Sequence, residues 1–159
     1  MQLTRYTDYS LRVLMYLALN IERSGEPVTA SEIARRFSIS LNHLSKIIHQ
    51  LGLQGHIVTM RGRGGGIRLG KPPEQIIIGE LVRLTEPTLQ PVNCHEPPCP
   101  IAASCRLRNV LAKAQTAFLD VLDSYSLADM TRQPDTLKTL LGQAKSADPV
   151  EAAQSSVAD

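Results

Sequence analysis

Tryptophan is absent, and only two phenylalanines and four tyrosines stand among the 159 residues. The core must therefore be aliphatic. Cysteine is nearly as scarce. Its three copies, Cys94, Cys99 and Cys105, are an odd number and follow no secretion signal, which excludes a disulfide framework and points to a reducing compartment. No apolar run approaches the roughly 18 residues needed to span a bilayer. Met1-Gln2-Leu3-Thr4-Arg5 also lacks the basic-then-apolar layout of a secretion signal. The expectation is a cytoplasmic protein with no membrane contact. Neither a phosphate-binding loop nor a paired acid/base signature is present, which argues against an enzyme.

The net charge of +2 is unevenly spread. Residues 1–73 carry ten Lys/Arg against four Asp/Glu, net +6, whereas residues 74–159 carry seven against eleven, net −4. A basic N-terminal half fits a nucleic-acid partner.

Along the chain, a first helix is expected from an N-cap at Thr7, with Asp8 in its first turn and Leu11, Leu14, Met15, Ala18 and Leu19 on one face. Tyr9, Val13, Tyr16 and Leu17 make its other sides apolar, as in a helix buried on several sides. Thr29 and Glu32 form a capping box for a second helix ending at Phe37. Ser40 caps a third, with Leu41, Leu44, Ile48 and Leu51 inward and Asn42, His43, Ser45, Lys46, His49 and Gln50 outward. Two extended runs, 56–61 and 67–69, flank the turn Gly62-Arg63-Gly64-Gly65-Gly66. A short helix over 78–86 precedes a proline-rich cysteine loop, and a long helix is expected from about Ala102 to Tyr125. In that helix Leu107, Val110, Ala114, Ala117 and Val121 alternate three and four apart, the spacing of a helix–helix seam. The small, polar residues 143–159 read as a disordered tail.

These elements predict a mainly α fold. A winged helix-turn-helix over 1–86 is followed by a cysteine loop over 87–105 and a dimerisation helix region over 102–130. The third helix would enter a major groove with Asn42, His43, Ser45 and Lys46 facing DNA; asparagine can read adenine with two hydrogen bonds, and lysine serves phosphate. Arg61, Arg63 and Arg68 on or beside the glycine tip suit a wing lying over phosphates or in a narrow minor groove. The competing reading is a protein-interaction module with solvated arginines, but caps, wing and local charge together favour double-stranded DNA.

Packing cysteines would be scattered through the chain, because free cysteine behaves as a small buried hydrophobe. Three within twelve residues instead give thiolates a common point, as a soft metal centre requires. The Cys94-x4-Cys99-x5-Cys105 spacing contains no C-x-x-C and so is unlike a zinc ribbon, while Cys99-Pro100 is of a kind found at iron–sulfur sites. A [4Fe–4S] cluster would need a non-cysteine ligand for its fourth iron, and [2Fe–2S] is the alternative. Zinc bound with His95 and a metal-free thiol switch are the competing chemistries. No Lys or Arg lies within 87–104 to lower a thiol pKa.

Taken together, the opening Met1-Gln2-Leu3-Thr4-Arg5-Tyr6-Thr7-Asp8-Tyr9, the wing Arg61-Gly62-Arg63-Gly64-Gly65-Gly66-Ile67-Arg68-Leu69 and the cysteine loop resemble winged-helix iron–sulfur regulators of the Rrf type. Val92-Asn93-Cys94, Ala103-Ser104-Cys105-Arg106-Leu107 and Ser126-Leu127-Ala128-Asp129 resemble its nitric-oxide-sensitive repressor branch. The likeness covers about residues 1–130. It implies a homodimer on a palindromic operator, repressing nitrosative-stress genes until nitric oxide modifies the cluster. It also implies that Asp8 of the partner subunit supplies the fourth ligand. Arg12, one helical turn on, stands in the cluster's environment as a compensating charge or as plain helix surface, and Glu96 and His95 are rival ligands because they sit in the loop itself. The cluster-biogenesis branch has a histidine three residues after its last cysteine; Arg108 stands there, against that branch. Sensing of cluster or iron status, and a zinc- or thiol-containing DNA-binding protein, are the alternative functions.

Overall fold

The computed structural model describes residues 2–23, 26–132 and 134–143. Helix α1 spans Arg5–Arg23, α2 Ala30–Phe37 and α3 Leu41–Leu53. Strands β1 (Ile57–Met60) and β2 (Gly66–Leu69) form an antiparallel hairpin in which Ile57 faces Leu69 and Met60 faces Gly66. A two-way hydrogen-bonded bridge between Val28 and Ile67, 2.8 and 2.9 Å, fastens this wing to the segment before α2. Helix α4 runs over Ile78–Thr85, α5 over Arg106–Asp123, α6 over Leu127–Met130 and α7 over Pro134–Gln143.

The core is aliphatic, as a chain without tryptophan requires. Val13, Leu14 and Leu17 of α1, Ile33 of α2, Leu44, Ile47 and Leu51 of α3, and Leu81 of α4 are almost fully buried together. Leu127 of α6 joins this cluster, and Leu141 of α7 packs against it half-buried. The sides of α1 occupied by Val13, Tyr16 and Leu17 are covered within the same chain.

Local signals placed most elements and misplaced some. Thr29 caps α2 by accepting from the Glu32 amide at 3.2 Å, and Ser40 caps α3 by accepting from the His43 amide at 3.3 Å. The cap expected at Thr7 belongs three residues earlier. Asp8 N–H donates to the Thr4 carbonyl at 3.0 Å, the Thr4 hydroxyl accepts from the Thr7 amide, and Thr7 itself is buried inside α1. In α3, Leu41 is exposed and Ile47 takes the inward place expected of it, because the buried arc centres on Leu44, Ile47, Ile48 and Leu51. The long helix is interrupted. A single 3-10 turn at Ala102–Ser104 ends in an extended Cys105 (φ −75°, ψ 107°), and α5 starts only at Arg106. Helices α6 and α7 were not anticipated. The tail expected over 143–159 lies, beyond Gln143, outside the described residues.

Candidate nucleic-acid interface and metal centre

Every outward residue expected on α3 is exposed: Asn42, His43, Ser45, Lys46, His49 and Gln50. Together they form one polar face opposite the buried Leu44–Ile47–Ile48–Leu51 arc. The Ser45 hydroxyl donates to the Leu41 carbonyl at 2.8 Å and so is turned back onto its own helix. His43 meets the ring of Tyr9 of α1 edge-to-face, with centroids 6.1 Å apart and planes at 83°. Arg61, Arg63 and Arg68 are all exposed around the wing. Gly62 and Gly64 hold the tip at φ 96° and 78°, where side chains are strained, so the turn needs glycine there and leaves Arg63 projecting between them. The structure thus brings the α3 face and the wing arginines onto two exposed elements of one head.

In the loop, Cys94, Cys99 and Cys105 are free thiols, each half-buried. Consecutive turns organise the segment. Asn93 Oδ1 accepts from the His95 and Glu96 amides at 3.0 and 3.2 Å, the Cys99 amide donates to the Cys94 carbonyl at 3.2 Å, and the Ala102 amide donates to the Cys99 carbonyl at 3.1 Å. A cleft of about 170 Å³ lies between the loop and α5, bordered by Val92, Cys94, His95, Arg108, Leu111 and Gln115.

Three thiols in one hydrogen-bonded loop fit an iron–sulfur group in donor chemistry. Their geometry in the single chain is not that of a finished site. Among the described residues, no group of three or more His, Cys, Asp or Glu side chains is gathered for a metal. Cys94, Cys99 and Cys105 would hold such a group, with one position left for a different ligand.

Asp8 is partly exposed near the start of α1 and forms an i,i+4 ion pair with Arg12 at 2.8 Å, both side chains largely accessible. An exposed pair of this kind contributes little stability, so its carboxylate is readily given up to another partner. Sequence reasoning missed Glu86, at the root of the cysteine loop. Its Oε1 accepts from the Thr4 amide at 2.7 Å and the Thr4 hydroxyl at 3.1 Å, fastening the start of α1 to the loop's first residues. Such an 82-residue separation carries no local sequence signal.

Helix α5 shows two faces. Leu119 is buried and Leu111, Phe118 and Leu122 are half-buried, whereas Leu107, Val110 and Val121 are 62%, 59% and 58% exposed and Ala114 and Ala117 are exposed beside them. The expected seam is therefore left uncovered by the described residues.

A family described as iron-dependent transcriptional regulator, Rrf2, matches residues 3–133. The chain belongs to the Rrf2 family. As an Rrf2 protein it is a DNA-binding transcriptional regulator and not an enzyme. It is 49% identical over 144 residues to the HTH-type transcriptional regulator NsrR of Bacillus licheniformis, covering 89% of this chain and 99% of that one. It is also 49% identical to NsrR of Bacillus subtilis, covering 89% and 97%. Among solved structures, IscR of T. potens superposes with a TM-score of 0.66 at 26% identity, covering 93% of each chain. CymR, the global cysteine regulator of B. subtilis, gives 0.66 at 25% identity, covering 83% of this chain and 97% of that one. The winged-helix architecture is thus shared across Rrf2 regulators. Among the described residues, no helix is long and apolar enough to cross a membrane.

Proposed function

We propose that this Rrf2 protein is a homodimeric repressor in which an iron–sulfur group held by Cys94, Cys99 and Cys105 makes operator binding sensitive to nitric oxide. The observation carrying this reading is the placement of three free thiols in one loop directly before α5, whose apolar seam is exposed. The 49% identity to NsrR chains over almost their whole length supports the branch within the family. Asp8 of the partner subunit would supply the fourth ligand of a [4Fe–4S] cluster.

The chain's own residues do the mechanical work. The seam on α5 brings two copies together. The Asp8–Arg12 pair opens so that each carboxylate can reach across to the other copy's loop, and Arg12 remains beside the ligand as a compensating charge. Thr4 and Glu86 keep the start of α1 beside the root of its own loop. Holding both α1 helices in this way sets the separation of the two α3 faces, which must meet half-sites about 34–36 Å apart or a multiple of it. Arg61, Arg63 and Arg68 then add phosphate contacts that do not depend on sequence. A bound cluster would supply iron able to react with nitric oxide; without the Asp8 link to the partner's loop, α1 would be free to move and the α3 faces would lose their register.

The test is anaerobic purification followed by nitric oxide titration, with visible absorption and operator binding measured on the same samples. Absorption of an iron–sulfur protein that changes in step with loss of DNA binding is the expected result. A colourless protein after cluster reconstitution, or operator binding equal with and without the cluster, would overturn the reading. In either case the DNA-binding regulator remains.

A further inference from the structure

An exposed histidine on a recognition helix is a poor reader of bases if its ring is free to turn. His43 lies in the first turn of α3, where its amide donates to the capping Ser40 hydroxyl. Its side chain is exposed, yet its ring meets Tyr9 at 6.1 Å and 83°, the edge-to-face arrangement that aromatic pairs favour. Tyr9 is half-buried and packs against the core alongside Tyr6, Leu11 and Met15, so α1 holds its ring in place. Of the other residues facing outward in this turn and the next, Ser45 is committed to the Leu41 carbonyl, whereas Asn42 and Lys46 extend from the exposed side.

We propose that Tyr9 is a positioning residue for base reading: its ring restricts His43 to one orientation on the DNA-facing side of α3, and the protein's preference at the base pair opposite His43 depends on that restriction. The inference rests on reading α3 as the recognition helix. An ordered imidazole offers one defined donor or acceptor to a base edge. A freely turning one averages over several and discriminates less.

The experiment uses the full-length homodimer with its cluster. A preferred duplex is first selected from a randomised pool with the wild-type protein. Affinities are then measured at one salt concentration for every single-base-pair variant of one half-site. Four single variants and one double variant are compared: His43→Ala, Tyr9→Phe, Tyr9→Leu and Tyr9→Met, the last being a flexible, ring-free replacement that tolerates imperfect packing, and His43→Ala combined with Tyr9→Met. His43→Ala should flatten discrimination at one position, and Tyr9→Leu and Tyr9→Met should flatten that same position by roughly two- to tenfold, the range of an edge-to-face pair. Tyr9→Phe, which keeps the ring, should preserve the wild-type profile. Adding Tyr9→Met to His43→Ala should cost nothing further at that position.

A role in packing alone would lower affinity for all duplexes alike and leave the profile unchanged, which overturns the proposal. So would a Tyr9→Met effect at a different position from that of His43→Ala. If the wild-type protein selects no sequence at all, the recognition-helix reading fails and this inference with it. A selective wild type whose profile survives Tyr9→Met removes this inference alone.

Discussion

His56 shows how one residue can join two elements. Its amide donates to the Leu51 carbonyl of α3 at 2.9 Å, and its carbonyl accepts from the Gly70 amide after β2 at 2.8 Å, so α3 and the wing are tied through one backbone unit. The imidazole is buried, and among the described residues its Nδ1 has no hydrogen-bond partner. Burial lowers its pKa below the usual histidine value, and Lys71 adds to the effect while Glu80 opposes it. Because the folded-state pKa lies below the unfolded one, the unfolded chain takes up a proton first as the pH falls. Stability is therefore full above about pH 6.5, the unfolded value, and declines below it towards the folded pKa. Thermal unfolding followed from about pH 7.5 to 5 should show this decline, and His56→Phe should remove it. Asp123, whose carboxyl Arg83 holds below the usual range, and Asp129, held down by Ser126, titrate at lower pH and stay outside this window.

At the scale of elements, the wing and α5 do separable jobs. If Arg63 contacts phosphate, as proposed, replacing it by Ala should weaken binding to every DNA sequence about equally and reduce the slope of log affinity against log salt by about one. Titrations at several salt concentrations measure this directly. The α5 seam should respond differently. Val110→Glu or Leu107→Glu places a charge where an apolar side chain is expected to meet another copy, and burying such a side chain is worth roughly 1.5–3 kcal/mol. Sedimentation should show a shift from dimer towards monomer, with operator affinity falling while the isolated chain stays folded. A seam variant that remains dimeric would place the assembly surface elsewhere.

Across the whole molecule, the question is how α5 is attached to the DNA-binding head. Arg83 of α4 grips both carboxylate oxygens of Asp123 at 2.6 Å, the Ile78 amide donates to the Tyr125 carbonyl at 2.9 Å, and the Leu127 amide donates to the Ile76 carbonyl at 2.8 Å. Gly79 permits this approach: a Cβ there would stand 1.9 Å from Asp123 Oδ1 and 3.0 Å from its backbone nitrogen. Gly79→Ala should thus push α4 and α5 apart, destabilising the protein by about 1–3 kcal/mol. It should also weaken operator binding more than binding to random DNA, because the two reading heads lose their spacing. Unfolding measurements and paired binding titrations would separate the two effects. Equal losses on both DNAs would confine the junction to a stabilising role.

Much of this protein was legible along the chain because its signals are local. Thr29 and Ser40 cap the helices they precede, alternating apolar positions mark the helix faces, and Gly62 and Gly64 supply the positive φ that the wing tip requires. The crowding of Cys94, Cys99 and Cys105, and the three-and-four periodicity of the seam from Leu107 to Val121, are likewise properties of spacing. Long-range contacts settled the rest. Leu41 is exposed and Ile47 buried because of how α3 sits on α1, and the chain turns out of helix at Cys105 before α5 begins. Glu86 reaches Thr4, Tyr9 meets His43 and Asp123 fits against Gly79 only when segments 34 to 82 residues apart are folded together. A periodicity of three or four residues describes which side of a helix is apolar, but carries no information about which distant side chain will lie against it.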